Sequence, residues 1–181
     1  KNLWAARPCV FIFHHQSKAD VVILAKLIRK DMGGIGKQEI RKIPLLGKVM
    51  EMAGTVFIDR ADTANAIKAM EPLVEAIKKE RRSICIAPEG TRTLSPKLGP
   101  FKKGAFHLAM QAGVPIVPIV IHNAGEVSPK NEFVMRGATV RVEVLAPVDT
   151  AGWSARTMGA HVAEVRAMFL GALGQAEAPP K

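Results

Sequence analysis

The amino-acid sequence predicts an α/β fold, a single-domain sandwich in which helices flank a central, largely parallel mixed sheet. Apolar runs of strand length alternate with helical segments, mostly in strand-then-helix order, and this order is typical of a parallel sheet. Strand-like segments late in the chain predict some antiparallel pairing. With 181 residues, 48% of them hydrophobic, the chain can bury one sizeable core, so we assign residues 1–181 to one domain.

The first predicted strand covers residues 8–13, which form a continuous apolar run. Ser17 follows it as a candidate helix N-cap, and Asp20 lies at the spacing of a capping box. We therefore predict a helix over residues 18–31, which a glycine-rich stretch ends. A short strand over residues 37–40 is expected next.

The middle of the chain continues the alternation. Pro44 opens a helix that Gly54 can end as a C-cap, and a strand over residues 55–59 follows. Apolar residues at helical spacing predict a long amphipathic helix over residues 64–80, and "SICIAP" at 83–88 reads as a buried strand. The remaining predicted elements are a helix at 102–113, strands at 115–122 and 138–148, and a helix at about 154–173.

Composition limits the class of partner. The net charge is +10 and the pI is about 10, which favours anionic partners such as acidic lipid headgroups or phosphorylated substrates. Only 5% of the residues are aromatic, none is tyrosine, and no nucleic-acid motif is visible, so we do not expect a nucleic-acid partner. Cys9 and Cys85 lie in apolar runs, which predicts buried free thiols rather than a disulfide.

The ends of the chain and its apolar runs bear on membrane contact. No stretch approaches the ~18 apolar residues that a bilayer-spanning helix needs, and no signal peptide is recognisable. The sequence opens at Lys1 without an initiator methionine, so we allow for a further segment upstream. Basic side chains crowd residues 26–48, and they are either a solvated face or a surface for anions.

Polar residues follow three of the predicted strands at the point where each ends. These are "HHQSKAD" at 14–20, "DR" at 59–60 and "EGTRT" at 89–93. Open α/β folds bind ligands at the carboxyl ends of their strands. We therefore expect these three segments to converge on one site.

His15 and Asp20 are the candidate catalytic pair. A carboxylate bonded to one ring nitrogen fixes the tautomer and leaves the other nitrogen free to accept a proton. The alternative is that Asp20 only caps the helix and His15 is a polar strand end. Neighbouring residues of a strand point to opposite sides, so His14 and His15 do not readily share a metal, and the other histidines lack metal-ligand spacing.

The chain has neither a G-x-S-x-G nucleophile motif nor a Walker loop. A histidine base without a protein nucleophile suggests that the substrate supplies the attacking hydroxyl. Arg60 and Arg92 are candidates for a phosphate, with Lys37 a weaker one, although surface ion pairing is an equal alternative for each arginine. Glu89 either braces these arginines or orients its turn, and Gly90 allows close backbone approach.

These residues occur in blocks that resemble the glycerolipid acyltransferase family, typified by 1-acyl-glycerol-3-phosphate acyltransferase (PlsC-like). His15 and Asp20 occupy the defining positions of the family's N-H-x-x-x-x-D block, while His14 replaces the usual asparagine. The blocks span residues 9–121. They are "HHQSKAD", "KQEIRKIPLLG", "GTVFIDR", "PEGTRT" and, more loosely, "VPIVPIVI".

The resemblance implies a glycerol-3-phosphate acyltransferase-like fold and an enzyme of phospholipid synthesis. It implies acyl transfer from acyl-CoA or acyl carrier protein to the free hydroxyl of lysophosphatidic acid, giving phosphatidic acid. It makes His15 the general base and Asp20 its orienting partner, with no metal and no bound cofactor. The residues that it assigns to the acceptor pocket are Lys37, Arg60, Glu89, Gly90, Thr91 and Arg92.

Other functions stay open at this point. One keeps the family and changes the acceptor, to glycerol 3-phosphate or another lysophospholipid, or makes the protein a transacylase. Another is a non-catalytic basic module that binds membranes or nucleic acid. Because lysophospholipids reside in bilayers, we expect a peripheral protein at the cytoplasmic face of the cell membrane, with residues 26–50 facing the lipid.

Overall fold

The computed structural model describes residues 2–17, 19–52, 54–58, 70–90, 97–127 and 136–176, with the backbone alone at Lys37 and Leu46. The helices are α1 Asn2–Ala5, α2 Ala19–Ile28, α3 Gln38–Arg41, α4 Leu46–Met52, α5 Glu71–Lys78, α6 Gly104–Ala112, α7 Ala124–Val127 and α8 Met158–Leu173. The strands are β1 Val10–Phe13, β2 Met32–Gly33, β3 Ile35–Lys37, β4 Val56–Ile58, β5 Ser83–Ile86, β6 Ile116–Ile121 and β7 Val142–Val144.

A five-stranded sheet in the order β2-β5-β1-β6-β7 forms the centre of the fold. The first four strands in this order run parallel, and β7 pairs antiparallel with β6. Phe11 on β1 lies opposite Cys85 on β5 and Val117 on β6. The predicted α/β class, with a largely parallel mixed sheet and late antiparallel pairing, is confirmed.

Side chains of β1 alternate between two apolar layers. Val10 and Ile12 belong to the core cluster that includes residues of α5, α6 and α8, whereas Phe11 and Phe13 belong to the cluster on the other face with α2 residues. All four strand residues are buried. Burial of an aliphatic or aromatic side chain stabilises a fold by about 1.5–3 kcal/mol. Because its side chains are buried on both faces, β1 stabilises both layers of the sandwich.

The prediction of a strand over residues 37–40 was wrong. β3 covers Ile35–Lys37 and pairs in parallel with β4, and the next residues form α3. A Cβ at Gly36 would lie 2.9 Å from the ring of Phe57, so this glycine permits the close pairing of β3 and β4. The glycine-rich stretch thus forms strands, and the good helix formers behind it begin a helix.

Parallel pairing determines where the functional residues lie. β1 ends at Phe13 and its neighbour β5 ends at Ile86, with Ile12 and Ile86 in register. The residues after both strands, His14 onward and Ala87 onward, therefore emerge at the same edge of the sheet. The part of the amphipathic helix predicted over 64–80 that the structure describes is α5, while the assignment of the whole chain to one domain stays a prediction.

Candidate active site

The turn between β1 and α2 holds the candidate catalytic pair. Ser17 Oγ accepts a hydrogen bond from the N–H of Ala19 at 3.1 Å, and the Asp20 carboxylate accepts one from the N–H of Ser17 at 2.9 Å. This reciprocal arrangement has the character of a capping box, with aspartate as its acid. The same turn brings Asp20 back towards the end of β1.

His15 Nδ1 lies 2.7 Å from Asp20 Oδ2. The same oxygen also accepts the N–H of Gln16 at 2.8 Å, in addition to that of Ser17. An oxygen that already accepts two backbone donors is an acceptor for the ring as well, so Nδ1 of His15 carries the proton. The lone pair is then on Nε2, which is the nitrogen that a general base requires.

Burial differs between the two members of the pair. The Asp20 side chain is 0% exposed, whereas the His15 side chain is 23% exposed. Charge-assisted hydrogen bonds to a buried carboxylate are the stronger class, and they restrict its rotation. The aspartate is therefore a fixed partner, and the histidine is its reachable member.

A second histidine–carboxylate pair lies next to the first. His14 Nδ1 is 2.6 Å from Glu89 Oε1, and both side chains are almost completely buried. Glu89 Oε1 also accepts the backbone N–H of His15 at 3.2 Å, and Oε2 accepts the N–H of Gly99 at 2.9 Å. Sequence reasoning assigned Glu89 to the substrate pocket and missed its contact with His14.

A cavity of about 540 Å³ opens beside His15. This volume lies within the ~300–1,000 Å³ range of small-molecule sites. Most of its lining side chains are apolar, so it suits an extended hydrocarbon group better than a polar one. The lining residues are Phe13, His15, Val21, Leu24, Met32, Gly34, Ile35, Met50, Thr55, Cys85, Ile86, Ala87 and Gly90.

The structure describes only part of the predicted phosphate pocket. Gly90 lines the cavity and has a φ of +76°, a conformation that favours glycine, with the Lys102 side chain close by. Sequence reasoning missed Lys102, although the basic pair at 102–103 stands out beside a glycine-rich turn. The backbone of Lys37 ends β3, and its side chain lies outside the described part of the chain, as do Arg60, Thr91 and Arg92.

Neither cysteine is suited to nucleophilic catalysis, although Cys85 lines the cavity. Both thiols are free and buried, as predicted. Burial raises the pKa of Cys9 to about 11, against a partial lowering by the hydrogen bond with Ser83, and burial raises the pKa of Cys85 further still. The thiolate is the reactive form, and both sites disfavour it.

The described residues contain no group of three or more histidine, cysteine, aspartate or glutamate side chains placed to hold a metal ion. In the same ranges, no helix is both long enough and apolar enough to cross a bilayer.

A histidine–carboxylate pair beside an apolar cavity, at the carboxyl edge of a parallel sheet, makes this an α/β protein with a candidate site for proton transfer. The acyltransferase family profile matches residues 1–122. The chain belongs to the acyltransferase family, and the predicted resemblance is confirmed.

Relatives with assigned names agree with this membership. The chain is 36% identical over 165 residues to a 1-acyl-sn-glycerol-3-phosphate acyltransferase of Saccharomyces cerevisiae, covering 90% of this chain and 54% of the yeast protein. It is 38% identical over 163 residues to the human 1-acyl-sn-glycerol-3-phosphate acyltransferase beta, covering 90% of this chain and 58% of the human protein. The chain thus spans a little over half the length of these relatives.

A solved structure gives the same fold. The crystal structure of the 1-acyl-sn-glycerophosphate acyltransferase PlsC from Thermotoga maritima superposes with a TM-score of 0.77 at 26% sequence identity. The match covers 98% of this chain and 70% of the Thermotoga chain. The fold of the described residues is therefore that of a known acyltransferase.

Proposed function

We propose that this protein transfers a fatty acyl group from acyl-CoA or acyl carrier protein to the free hydroxyl of lysophosphatidic acid, giving phosphatidic acid. The observation that carries the proposal is the 2.7 Å contact between His15 Nδ1 and Asp20 Oδ2 beside an apolar cavity. The names of its relatives support the choice of acceptor.

In the proposed reaction His15 acts as the general base. Its Nε2 takes the proton from the acceptor hydroxyl while the oxygen attacks the thioester carbonyl carbon. The tetrahedral intermediate collapses, the carbon–sulfur bond breaks, and protonated His15 returns the proton to the leaving thiolate. Asp20 stabilises the imidazolium that exists between the two transfers.

The oxyanion of the intermediate needs preorganised donors. The N–H groups of Gln16, Ser17 and Ala19 already donate to side chains at the start of α2. The N–H of Gly90 donates to the carbonyl oxygen of Ala87. We therefore assign this role to the backbone N–H groups of residues 91–92, which follow Gly90 in the sequence.

The substrates divide between apolar and basic surroundings. The apolar lining of the cavity suits the acyl chain, because burial of its methylene groups is favourable at about 0.8 kcal/mol each. We assign the acceptor's phosphate to Arg60 and Arg92, with Lys37 and Thr91 assisting, since guanidinium groups form forked bonds with phosphate oxygens. Gly90 lets the backbone approach the substrate, and Glu89 shapes the turn that precedes it.

A lysophospholipid acceptor also requires contact with a membrane surface. Large apolar side chains are exposed on α2, where Val21, which lines the cavity, is 60% exposed and Val22 is 61% exposed. Leu45, Val49 and Met52, in and before α4, are 81%, 52% and 86% exposed. Exposed apolar side chains of this size suit peripheral association, and we place this surface at the cytoplasmic face of the cell membrane.

Basic residues lie close in sequence to the exposed apolar residues of the α4 segment. Lys42 and Lys48 are both exposed, and each basic residue near anionic lipid contributes about 1 kcal/mol to membrane binding. Leu24 and Ile28 of the same helix as Val21, α2, are buried, and Leu24 lines the cavity together with Val21. In this proposal α2 packs against the sheet through its buried residues and meets lipid through its exposed valines.

Thiol release with palmitoyl-CoA and a panel of acceptors tests the proposal. We expect lysophosphatidic acid to support release and phosphatidic acid to form, and we expect both to fall ~10³-fold or more in a folded His15→Ala variant. His161→Ala, which removes a partly buried histidine of α8 that stacks on Trp153, is the matched control. If glycerol 3-phosphate were the one acceptor that supports release, the acceptor would have to be reassigned. Undiminished release in His15→Ala would show that His15 is not the general base.

A further inference from the structure

The buried pair of His14 and Glu89 has no part in the proton transfers. His14 is completely buried, and its Nδ1 lies 2.6 Å from Glu89 Oε1. We propose that His14 is a positioning residue, which acts through the Glu89 carboxylate to fix the backbone of His15 and hence the place of the base at the cavity. The proposal rests on the acyltransferase function proposed above.

Glu89 is the physical connection between the two histidines. Its Oε1 accepts both the Nδ1–H of His14 and the backbone N–H of His15, the latter at 3.2 Å. A displacement of the His14 ring therefore moves the Glu89 oxygen that accepts the hydrogen bond from the His15 backbone. The two histidines are therefore coupled through a single atom, Oε1 of Glu89.

The other oxygen of Glu89 is anchored to a different part of the fold. Oε2 accepts the N–H of Gly99 at 2.9 Å, and Arg166 of α8 donates to the carbonyl oxygen of Gly99 at 3.2 Å. A Cβ at Gly99 would lie 3.0 Å from Glu89 Oε2, so the glycine permits this approach. The carboxylate is thus held between the backbone at Gly99 and the end of β1.

The remaining ring nitrogen shows what the histidine contributes. His14 Nε2 is buried and has no hydrogen-bond partner among the residues that the structure describes. An unpaired buried polar atom costs stability, and a phenylalanine would fill similar space without one. The Nδ1–H donor to Glu89 is therefore the feature that distinguishes histidine at this position.

The geometry of β1 excludes direct contact chemistry for His14. Successive side chains of a strand point to opposite faces, and His15 follows Phe11 and Phe13 towards α2 and the cavity. His14 follows Val10 and Ile12 towards the other face, and it does not line the cavity. Its influence on the reaction has to pass through Glu89.

The test compares His14→Phe, which removes the donor, with His14→Asn, which restores a donor. We expect kcat of His14→Phe to fall about 10- to 100-fold, because small displacements of a catalytic group have effects of this order. The KM for donor and acceptor should change less than about twofold, and His14→Asn should recover most of the lost kcat. The matched control is His161→Phe on α8, which should keep wild-type kinetics. His161 is partly buried, lies 3.6 Å from Glu164 and stacks on Trp153, so a phenylalanine there keeps the ring contact.

Two results would overturn the proposal. One is wild-type kcat in a folded His14→Phe protein, with folding measured by circular dichroism and thermal midpoint. The other is a kcat of His14→Asn as low as that of His14→Phe. If His14→Phe does not fold, Gly99→Ala displaces the carboxylate from its other side, and unchanged kcat in that variant would equally reject the coupling.

A spectroscopic readout separates this proposal from the proposed function. The Nδ1 proton of His15, bonded to Asp20, should give a downfield nuclear magnetic resonance signal that shifts in His14→Phe and not in His161→Phe. An unshifted signal would overturn the positioning role whether or not the protein turns over any substrate. Absence of turnover in the wild-type protein with every acceptor would reject the proposed function alone.

Discussion

The rings of Phe13 and His15 meet edge to face, with centroids 5.6 Å apart and planes inclined by 72°. Phe13 is the last residue of β1 and is itself buried, so it presents a fixed surface to the imidazole. Asp20 holds the same ring at Nδ1. The base is therefore restrained by packing on one side and by a hydrogen bond on another, and this explains how a residue beyond the strand can keep one orientation.

Asp20→Asn tests the tautomer of His15. The amide has nearly the shape of the carboxylate, but it lacks the charge that stabilises the imidazolium, and its NH₂ group can impose the wrong tautomer. We expect kcat to fall about 10²- to 10⁴-fold with the fold retained. The measurement is thiol release together with ¹⁵N chemical shifts of the His15 ring. Full activity in a variant whose ring nitrogens have exchanged roles would contradict the assignment.

Leu24→Trp tests the assignment of the cavity to the acyl chain. Leu24 is buried in the cavity wall, and a larger side chain there shortens the space available. We expect kcat/KM to fall about tenfold or more for a palmitoyl donor and much less for a decanoyl donor, since a few methylene groups account for differences of this size. Overpacking also costs about 1–3 kcal/mol of stability, so thermal unfolding is recorded in parallel.

The exposed neighbour Val22 supplies the control for this variant. Val22 is 61% exposed on the same helix and does not line the cavity. Val22→Trp should leave the dependence on chain length unchanged. A shift of equal size in both variants would mean that the helix surface, rather than the cavity, selects the chain.

Arg60→Ala and Arg92→Ala test the phosphate site, which lies outside the described residues. Loss of a forked guanidinium–phosphate contact should raise the KM for lysophosphatidic acid about tenfold or more in each variant. The KM for the acyl donor should change little. Initial rates at varied acceptor concentration give both constants, and unchanged acceptor kinetics in the two variants would remove both arginines from the site.

Charge reversal at Lys42 and Lys48 tests the lipid-facing surface. Each lysine contributes about 1 kcal/mol near anionic lipid, so the double variant should bind vesicles containing phosphatidic acid at least tenfold more weakly. Vesicle flotation measures the binding, and high salt should also weaken vesicle binding by the wild-type protein. Lys78 and Lys79, exposed at the end of α5, offer the control pair. Equal binding by wild type and by the Lys42 and Lys48 variant would move the lipid contact elsewhere.

Local patterns predicted one half of the site, and tertiary pairing determines the other. His15 and Asp20 are separated by one turn, so the capping pattern of Ser17 and Asp20 already indicated their approach. Glu89 lies 75 residues beyond His14, and the register of β1 against β5 brings them together. No short-range pattern in the sequence predicts that register, so the contact between His14 and Glu89 was missed.

The same distinction explains the error at 37–40. Gly36 reads locally as a breaker, but its lack of a side chain is what lets β3 approach Phe57 on β4. A glycine's local propensity was thus outweighed by a contact with a strand about twenty residues away. The buried, free state of both cysteines followed correctly from their apolar neighbours, and it leads to a prediction about stability.

The buried thiols should make the fold sensitive to alkali. Folding raises the pKa of Cys9 from 9.0 to about 11, and the pKa of Cys85 is raised as well. Between these pH values the unfolded chain has lost protons that the native protein still holds, so the free energy of unfolding falls as pH rises from about 9 towards 11. The contribution of Cys9 is fully present below pH 9.0, and the loss is on the order of 2 kcal/mol.

Urea unfolding of the wild type and of a Cys9→Ala, Cys85→Ala double variant across this pH range measures the effect. The chain contains no tyrosine, so the other ionisations in the range are mainly those of lysines, which the two proteins share. The double variant will be less stable at every pH because of lost packing, but its stability should decline less steeply between pH 9 and 11. Parallel curves for the two proteins would show that the thiols ionise equally in the folded and unfolded chains, and would contradict their burial.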